Sequence, residues 1–219
     1  MIKAVIFDLD GTLVNSLEDL ADASNHALSC FGFPTHETEK YKYFVGNGIP
    51  KLIYRMTPES NRDEETLSKV HKEFLAYYKI HSNDKTYVYE GIKELIADLK
   101  NKGIRIAVVS NKADGPAQEV INNTLPNTFE FVFGQRPEIP TKPDPTLTLM
   151  AMKEMGVKPE ECIFMGDSGM DVKTGVNCGA LPVGVLWGFR TADELLQNGA
   201  KYLINEPNEL IKIIEEYNG

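Results

Sequence analysis

Beyond about residue 104 the chain alternates short apolar runs with helix-length segments, and this rhythm narrows the possible folds more than any other feature. Candidate strands lie at 104–109, 131–133, 162–165, 181–185 and 202–204, with helical patterns at 116–123, 145–154, 170–178, 192–197 and 209–216. Strands separated by helices form βαβ units, and such units build a mostly parallel sheet covered by helices on both faces. Residues 3–7 read as a further strand of that sheet. The expected class is α/β, with a Rossmann-like parallel sheet core.

Between residues 16 and 85 the pattern changes. Ser16 with Asp19 has the form of a capping box, and Leu17, Leu20, Ala21, Ser24, Ala27 and Leu28 share one face of a helix. Residues 49–56 and 64–78 are also helical in pattern, and strand-like alternation is absent. A stretch of about 70 residues without a strand exceeds an ordinary connection. The reading is a core made of 1–15 and 85–219, interrupted by a small all-helical domain over 16–84; one continuous domain with extra helices is the alternative. A helix over 91–100 then turns Ile92, Leu95, Ile96 and Leu99 inward, and Gly103 ends it.

The chemistry gathers at strand ends. Val5-Ile6-Phe7 runs into Asp8-Leu9-Asp10-Gly11-Thr12, which sets two carboxylates two residues apart where open α/β sheets bind ligands. Carboxylates so close require a cation, a shared proton or separate environments. Val109 leads into Ser110-Asn111, Pro140-Thr141-Lys142-Pro143 places a lysine in a stiff loop, and Phe164-Met165 runs into Gly166-Asp167-Ser168-Gly169-Met170-Asp171. In a parallel sheet these loops converge on one edge.

The set Asp8, Asp10, Ser110, Lys142, Asp167 and Asp171 suits phosphoryl transfer. A carboxylate can attack phosphorus to give an aspartyl phosphate that water hydrolyses. Asp8 is the expected nucleophile, and Asp10 the acid that protonates the leaving oxygen and then activates water. An oxygen-rich site suits Mg²⁺, Lys142 can hold the transferring oxygens, Ser110 can bind them, and Asp167 can complete the metal shell.

Net charge and composition limit the partners. A net charge of −9 with no basic tract is not the footprint of a nucleic-acid surface. Apolar runs are strand-sized, so no membrane partner is expected. The three cysteines, Cys30, Cys162 and Cys178, are widely spaced and read as buried thiols of a reducing compartment, neither a disulfide frame nor a metal cluster. Without a signal-peptide layout, the expected location is cytoplasmic, as a monomer or homodimer acting on a small phosphorylated metabolite.

The motifs Asp8-Leu9-Asp10-Gly11-Thr12, Ser110-Asn111, Lys142-Pro143 and Gly166-Asp167-Ser168-Gly169-Met170-Asp171 together resemble the haloacid dehalogenase-like hydrolases, across the whole chain. The resemblance implies Mg²⁺ held by the Asp8 carboxylate, the Asp10 main-chain carbonyl and Asp167, with Asp171 and Ser168 supporting it. It implies Thr12 and Asn111 beside the phosphoryl group, and a helical cap that selects the substrate. Asp10 sets the chain apart from the dehalogenases, which lack that acid. The absence of lysine from residues 16–31 sets it apart from phosphonate-cleaving relatives, which form a Schiff base there.

Within the superfamily the likeness is nearest to phosphoglycolate phosphatases, which would cleave 2-phosphoglycolate to glycolate and phosphate. Alternatives are a phosphosugar mutase, a pyrophosphatase, a nucleotidase or a broad sugar-phosphate phosphatase. Gly46-Asn47-Gly48 resembles the subfamily's cap loop, whose amides could approach a small anion, and Lys51 and Arg55, four apart on one helix face, would meet a substrate's distal charge. Asn15, Trp187 and Asp144 depart from residues common at those positions in relatives.

Overall fold

The computed structural model describes all 219 residues, which form two compact units, Met1–Val14 with Val88–Gly219, and Asn15–Tyr87. The chain runs β1 (Ala4–Phe7), β2 (Val14–Asn15), α1 (Leu17–Cys30), α2 (Thr38–Phe44), α3 (Ile49–Met56), α4 (Glu64–His81) and β3 (Tyr87–Val88). It continues through α5 (Ile92–Asn101), β4 (Arg105–Ala113), α6 (Asp114–Thr124), β5 (Phe131–Gln135), α7 (Thr146–Glu154) and β6 (Cys162–Gly166). The last elements are α8 (Gly169–Cys178), β7 (Leu181–Val185), α9 (Ala192–Gln197), β8 (Tyr202–Ile204) and α10 (Glu209–Asn218).

Six strands make one parallel sheet in the order β5-β4-β1-β6-β7-β8. Side chains alternate across it and feed two cores. Val5, Phe7, Ile106, Val108, Ile163 and Met165 join one core with helices α5, α6 and α10. Ala4, Ile6, Ala107, Val109, Cys162 and Phe164 join the other with α7 and α8. Each large apolar side chain buried this way contributes about 1.5–3 kcal/mol. Burial on both faces explains why these strands read as continuous apolar runs. The chain is an α/β protein with a Rossmann-like parallel core, helices on both faces and an inserted helical unit. Sheet order reverses at β1, between β4 and β6, and the carboxyl ends at such a switch point are where open α/β sheets bind ligands.

Several local expectations need correction. β4 runs on to Ala113, so Ser110 and Asn111 lie within its last residues, where the register with β5 shifts between Val109 and Ala113. Such an irregularity re-aims the side chains that follow it. A helix not foreseen in the sequence, α2, occupies Thr38–Phe44. No side-chain capping bond forms at the start of α1. Asp19, 2% exposed, instead accepts from Lys85 N at 2.9 Å, Thr86 N at 2.8 Å and Thr86 Oγ1 at 2.6 Å. Those amides would otherwise be unpaired donors, and a carboxylate satisfies them better than a neutral acceptor. Cys162 and Cys178 are buried as expected, but Cys30 is exposed.

Candidate active site

The last residues of β4, the loops after β1, β6 and β7, and the segment before α7 bring the charged groups together. Lys142, 4% exposed, lies between two carboxylates, with Nζ 2.7 Å from Asp8 Oδ1 and 2.6 Å from Asp171 Oδ1. Its backbone is held by Asn111, whose Oδ1 accepts from Lys142 N at 2.8 Å and whose Nδ2 donates to Lys142 O at 3.5 Å. Asn111 therefore acts on the site through the lysine backbone. Ser110 is buried, and its Oγ accepts from Lys112 N at 3.1 Å.

Asp167 and Asp171 are positioned by β6 and the start of α8. Ser168 N and Oγ donate to Asp171 Oδ2 at 3.0 and 2.6 Å, while Ser168 also caps α8 by accepting from Asp171 N. This reciprocal cap fixes Asp171 at a helix N-terminus, where negative charge is favoured. Phe189 N donates to Asp167 Oδ2 at 2.8 Å, and Thr12 Oγ1 to Asp167 Oδ1 at 3.5 Å. Thr12 is fully buried, so its hydroxyl stands behind Asp167 and not at an open surface. Gly11 and Gly188 make room for Asp167: a Cβ on either would come within 2.3 Å of it, and Gly11 also has φ +87°.

One partner escaped the sequence analysis. Lys112 Nζ lies 3.1 and 3.2 Å from the two oxygens of Asp10, and its side chain is 4% exposed. A lysine near the end of a buried strand needs a counter-charge, and that was the available signal. The two close carboxylates are thus separated electrostatically, each with its own lysine.

Burial and the Asp171 charge push the Asp8 carboxyl up to about 7 despite Lys142. Burial, then Asp171 and Asp8, raise Asp167 well above the usual carboxylate range. Burial alone would lower Lys142, but Asp171 and Asp8 reverse this and hold the ammonium charged. Donor atoms of Asp8, Asp167 and Asp171 lie within 4.8 Å of one another, and the Asp8 Oδ1–Lys142 contact lacks hydrogen-bond alignment. When all three carboxylates are ionised, the single ammonium in contact with them leaves two negative charges uncompensated. A hard divalent cation with oxygen ligands fits both that charge and that donor set.

Gly46, Asn47, Gly48, Lys51 and Arg55 belong to the helical unit. Gly46 and Gly48 have φ of +105° and +80°. Arg55 donates to Phe44 O at 2.9 Å and Asn47 Oδ1 at 2.8 Å, clamping the loop between α2 and α3. Lys51 is exposed one turn earlier on α3.

Residues 5–185 match a family model described as haloacid dehalogenase-like hydrolase. A phosphoglycolate phosphatase of Colwellia psychrerythraea is 31% identical over 95% of this chain and 95% of its own length. Phosphoglycolate phosphatase 1 of Pseudomonas aeruginosa is 34% identical over 88% of this chain and 74% of its own. A crystal structure from Lactobacillus delbrueckii subsp. bulgaricus, provisionally assigned as a phosphoglycolate phosphatase, superposes with a TM-score of 0.91. It is 30% identical and covers 97% of this chain and 98% of its own.

Proposed function

The chain belongs to the haloacid dehalogenase-like hydrolases and is a phosphatase, and from that premise we propose that it hydrolyses 2-phosphoglycolate through a phosphoryl group carried on Asp8. The observation that carries the mechanism is the separate pairing of two neighbouring carboxylates, Asp8 with Lys142 and Asp10 with Lys112. Two carboxylates in distinct environments can take two roles.

Asp8 attacks phosphorus as the ester P–O bond breaks, and Asp10, which must enter the step protonated against the pull of the Lys112 ammonium, gives its proton to the departing oxygen. Asp10, now a carboxylate, takes a proton from the water that attacks the aspartyl phosphate, which releases phosphate and restores Asp8. Lys112 holds Asp10 in reach of that oxygen. Lys142 and Ser110 bind the transferring oxygens, and Asn111 fixes Lys142. Asp8, the Asp10 main-chain carbonyl and Asp167 would hold Mg²⁺, which supplies positive charge to the phosphoryl group, while Asp171, Ser168 and Thr12 support that set. Residues 16–84 would act as the cap, with Gly46, Asn47, Gly48 and Lys51 offered to the substrate's carboxylate and Arg55 shaping the loop.

The substrate reading is supported by relatives named phosphoglycolate phosphatases that align over nearly the full chain at 31% and 30% identity. It is tested by Mg²⁺-dependent phosphate release from 2-phosphoglycolate, hexose phosphates, pyrophosphate and nucleoside monophosphates. A clear kcat/KM preference for 2-phosphoglycolate is expected. A flat profile, or a preference elsewhere, would reject the substrate and keep the phosphatase. Sugar-phosphate isomerisation without phosphate release would indicate a mutase.

The metal assignment has a pH signature. An unfolded Asp8 ionises near 3.8 but the folded one near 7. Between about pH 4 and 7 the metal-free fold therefore holds a proton that the unfolded chain has lost, so this group lowers stability as pH rises through that window. Mg²⁺ should raise Tm more at pH 8 than at pH 5, because it binds the ionised carboxylates. Equal shifts at both pH values would place the metal elsewhere.

A further inference from the structure

The helical unit holds a second constellation of chemically reactive groups. His26 and Cys30 stand one turn apart on α1, and Glu73 faces them from α4. His26 Nε2 lies 3.6 Å from Cys30 Sγ and 3.2 Å from Glu73 Oε1. The three donor atoms all fall within 4.8 Å of one another. We propose that His26, Cys30 and Glu73 form a transition-metal site of the zinc class, clasping α1 to α4.

The distances fit such an ion. With Zn–S near 2.3 Å and Zn–N and Zn–O near 2.0–2.2 Å, a tetrahedral site has ligand-to-ligand edges of about 3.3–3.6 Å. Both measured separations from Nε2 lie close to those edges. Hydrogen bonding does not account for the triad equally well. In a neutral imidazole Nε2 is either a donor or an acceptor. As a donor to Glu73 it leaves the Cys30 sulfur at best a weak, shared acceptor, and as an acceptor from Cys30 it turns a lone pair toward the Glu73 carboxylate. One cation among the three atoms satisfies all of them together.

The surroundings suit the role. Tyr77, one turn after Glu73 on α4, stacks on the imidazole with ring centroids 4.2 Å apart and an interplanar angle of 24°, which fixes the ring plane. The His26 and Glu73 side chains are each 40% exposed, so water or another ligand can complete the coordination. Binding replaces the Cys30 thiol proton, which passes to solvent as the metal–sulfur bond forms. A thiolate and a carboxylate then balance a divalent ion. The sulfur and nitrogen donors favour zinc over magnesium, in contrast to the all-oxygen carboxylate cluster of the core. The cysteine spacing hides this site, because its third ligand comes from another helix 43 positions after Cys30 in sequence.

The test is a titration of the intact, reduced protein with Co²⁺ in excess Mg²⁺, read by absorbance. Wild type should develop a thiolate-to-cobalt charge-transfer band and tetrahedral d–d bands at one equivalent, both removed by Zn²⁺. Cys30→Ser, a conservative change at an exposed position, should keep the circular dichroism of the wild type and lose the charge-transfer band. It should also weaken Zn²⁺ binding by at least about tenfold, since even supporting groups of metal ligands are worth that much. His26→Ala should weaken binding to a similar extent. A charge-transfer band that persists in Cys30→Ser, or none in wild type, would overturn the site.

Discussion

Asp8→Asn is expected to abolish multiple turnover while leaving the fold intact. The amide matches the carboxylate in size but offers no anionic oxygen to phosphorus. Losing a nucleophile that acts in concert with other groups costs about 10⁴-fold or more in kcat. Binding should survive, because Lys142, Ser110 and Asn111 remain, so the loss falls on kcat and not on KM. Acid-quenched single turnovers should trap a phosphoryl–protein adduct in wild type and none in the variant. Asparagine also removes a buried charge that the fold tolerates poorly above about pH 7. The metal-free variant should therefore melt no lower than wild type at pH 8. A variant that kept substantial multiple turnover would eliminate the covalent route.

Lys142→Met is expected to be the second most damaging change, and for a different reason. The lysine is the one ammonium in contact with both Asp8 and Asp171. Methionine fills the space and leaves two buried carboxylates without it. Removing one member of a buried ion pair costs about 3–5 kcal/mol. Tm should fall in EDTA and recover in part with Mg²⁺, since a cation can replace the missing charge on the carboxylates. Activity should not recover with it. Loss of a charged group aimed at the transferring oxygens costs about 10²–10³-fold in kcat. Lys142→Arg should restore stability more than rate, because a forked guanidinium does not place a point charge where the ammonium stood. Full activity in Lys142→Met with saturating Mg²⁺ would remove the lysine from the reaction.

Much of the core was legible because its signals are local. The strands at 181–185 and 202–204 and the helices at 49–56 and 192–197 occupy the residues that periodicity and turn chemistry indicate. Asp8, Asp167 and Lys142 were visible as polar residues placed just past apolar runs or in a stiff loop. The misses share a cause. Ser16 and Asp19 have capping-box spacing, yet backbone amides at residues 85 and 86 take the Asp19 carboxylate. The extension of β4 to Ala113 depends on pairing with β5, and the seven residues of α2 are too short a run for a helical period to show.

The sequence by itself determined the α/β class, the parallel core and the strand ends that carry acids, because side-chain alternation and turn residues act over a few positions. Only the tertiary structure decided which charges meet. Lys112 reaches Asp10 across 102 positions, Lys142 bridges Asp8 and Asp171, and Glu73 meets His26 across 47. Each pairing depends on strand register, a shifted ladder or the packing of two helices. These are set by the burial of apolar faces over the whole unit, and no local pattern encodes which polar groups that burial brings together.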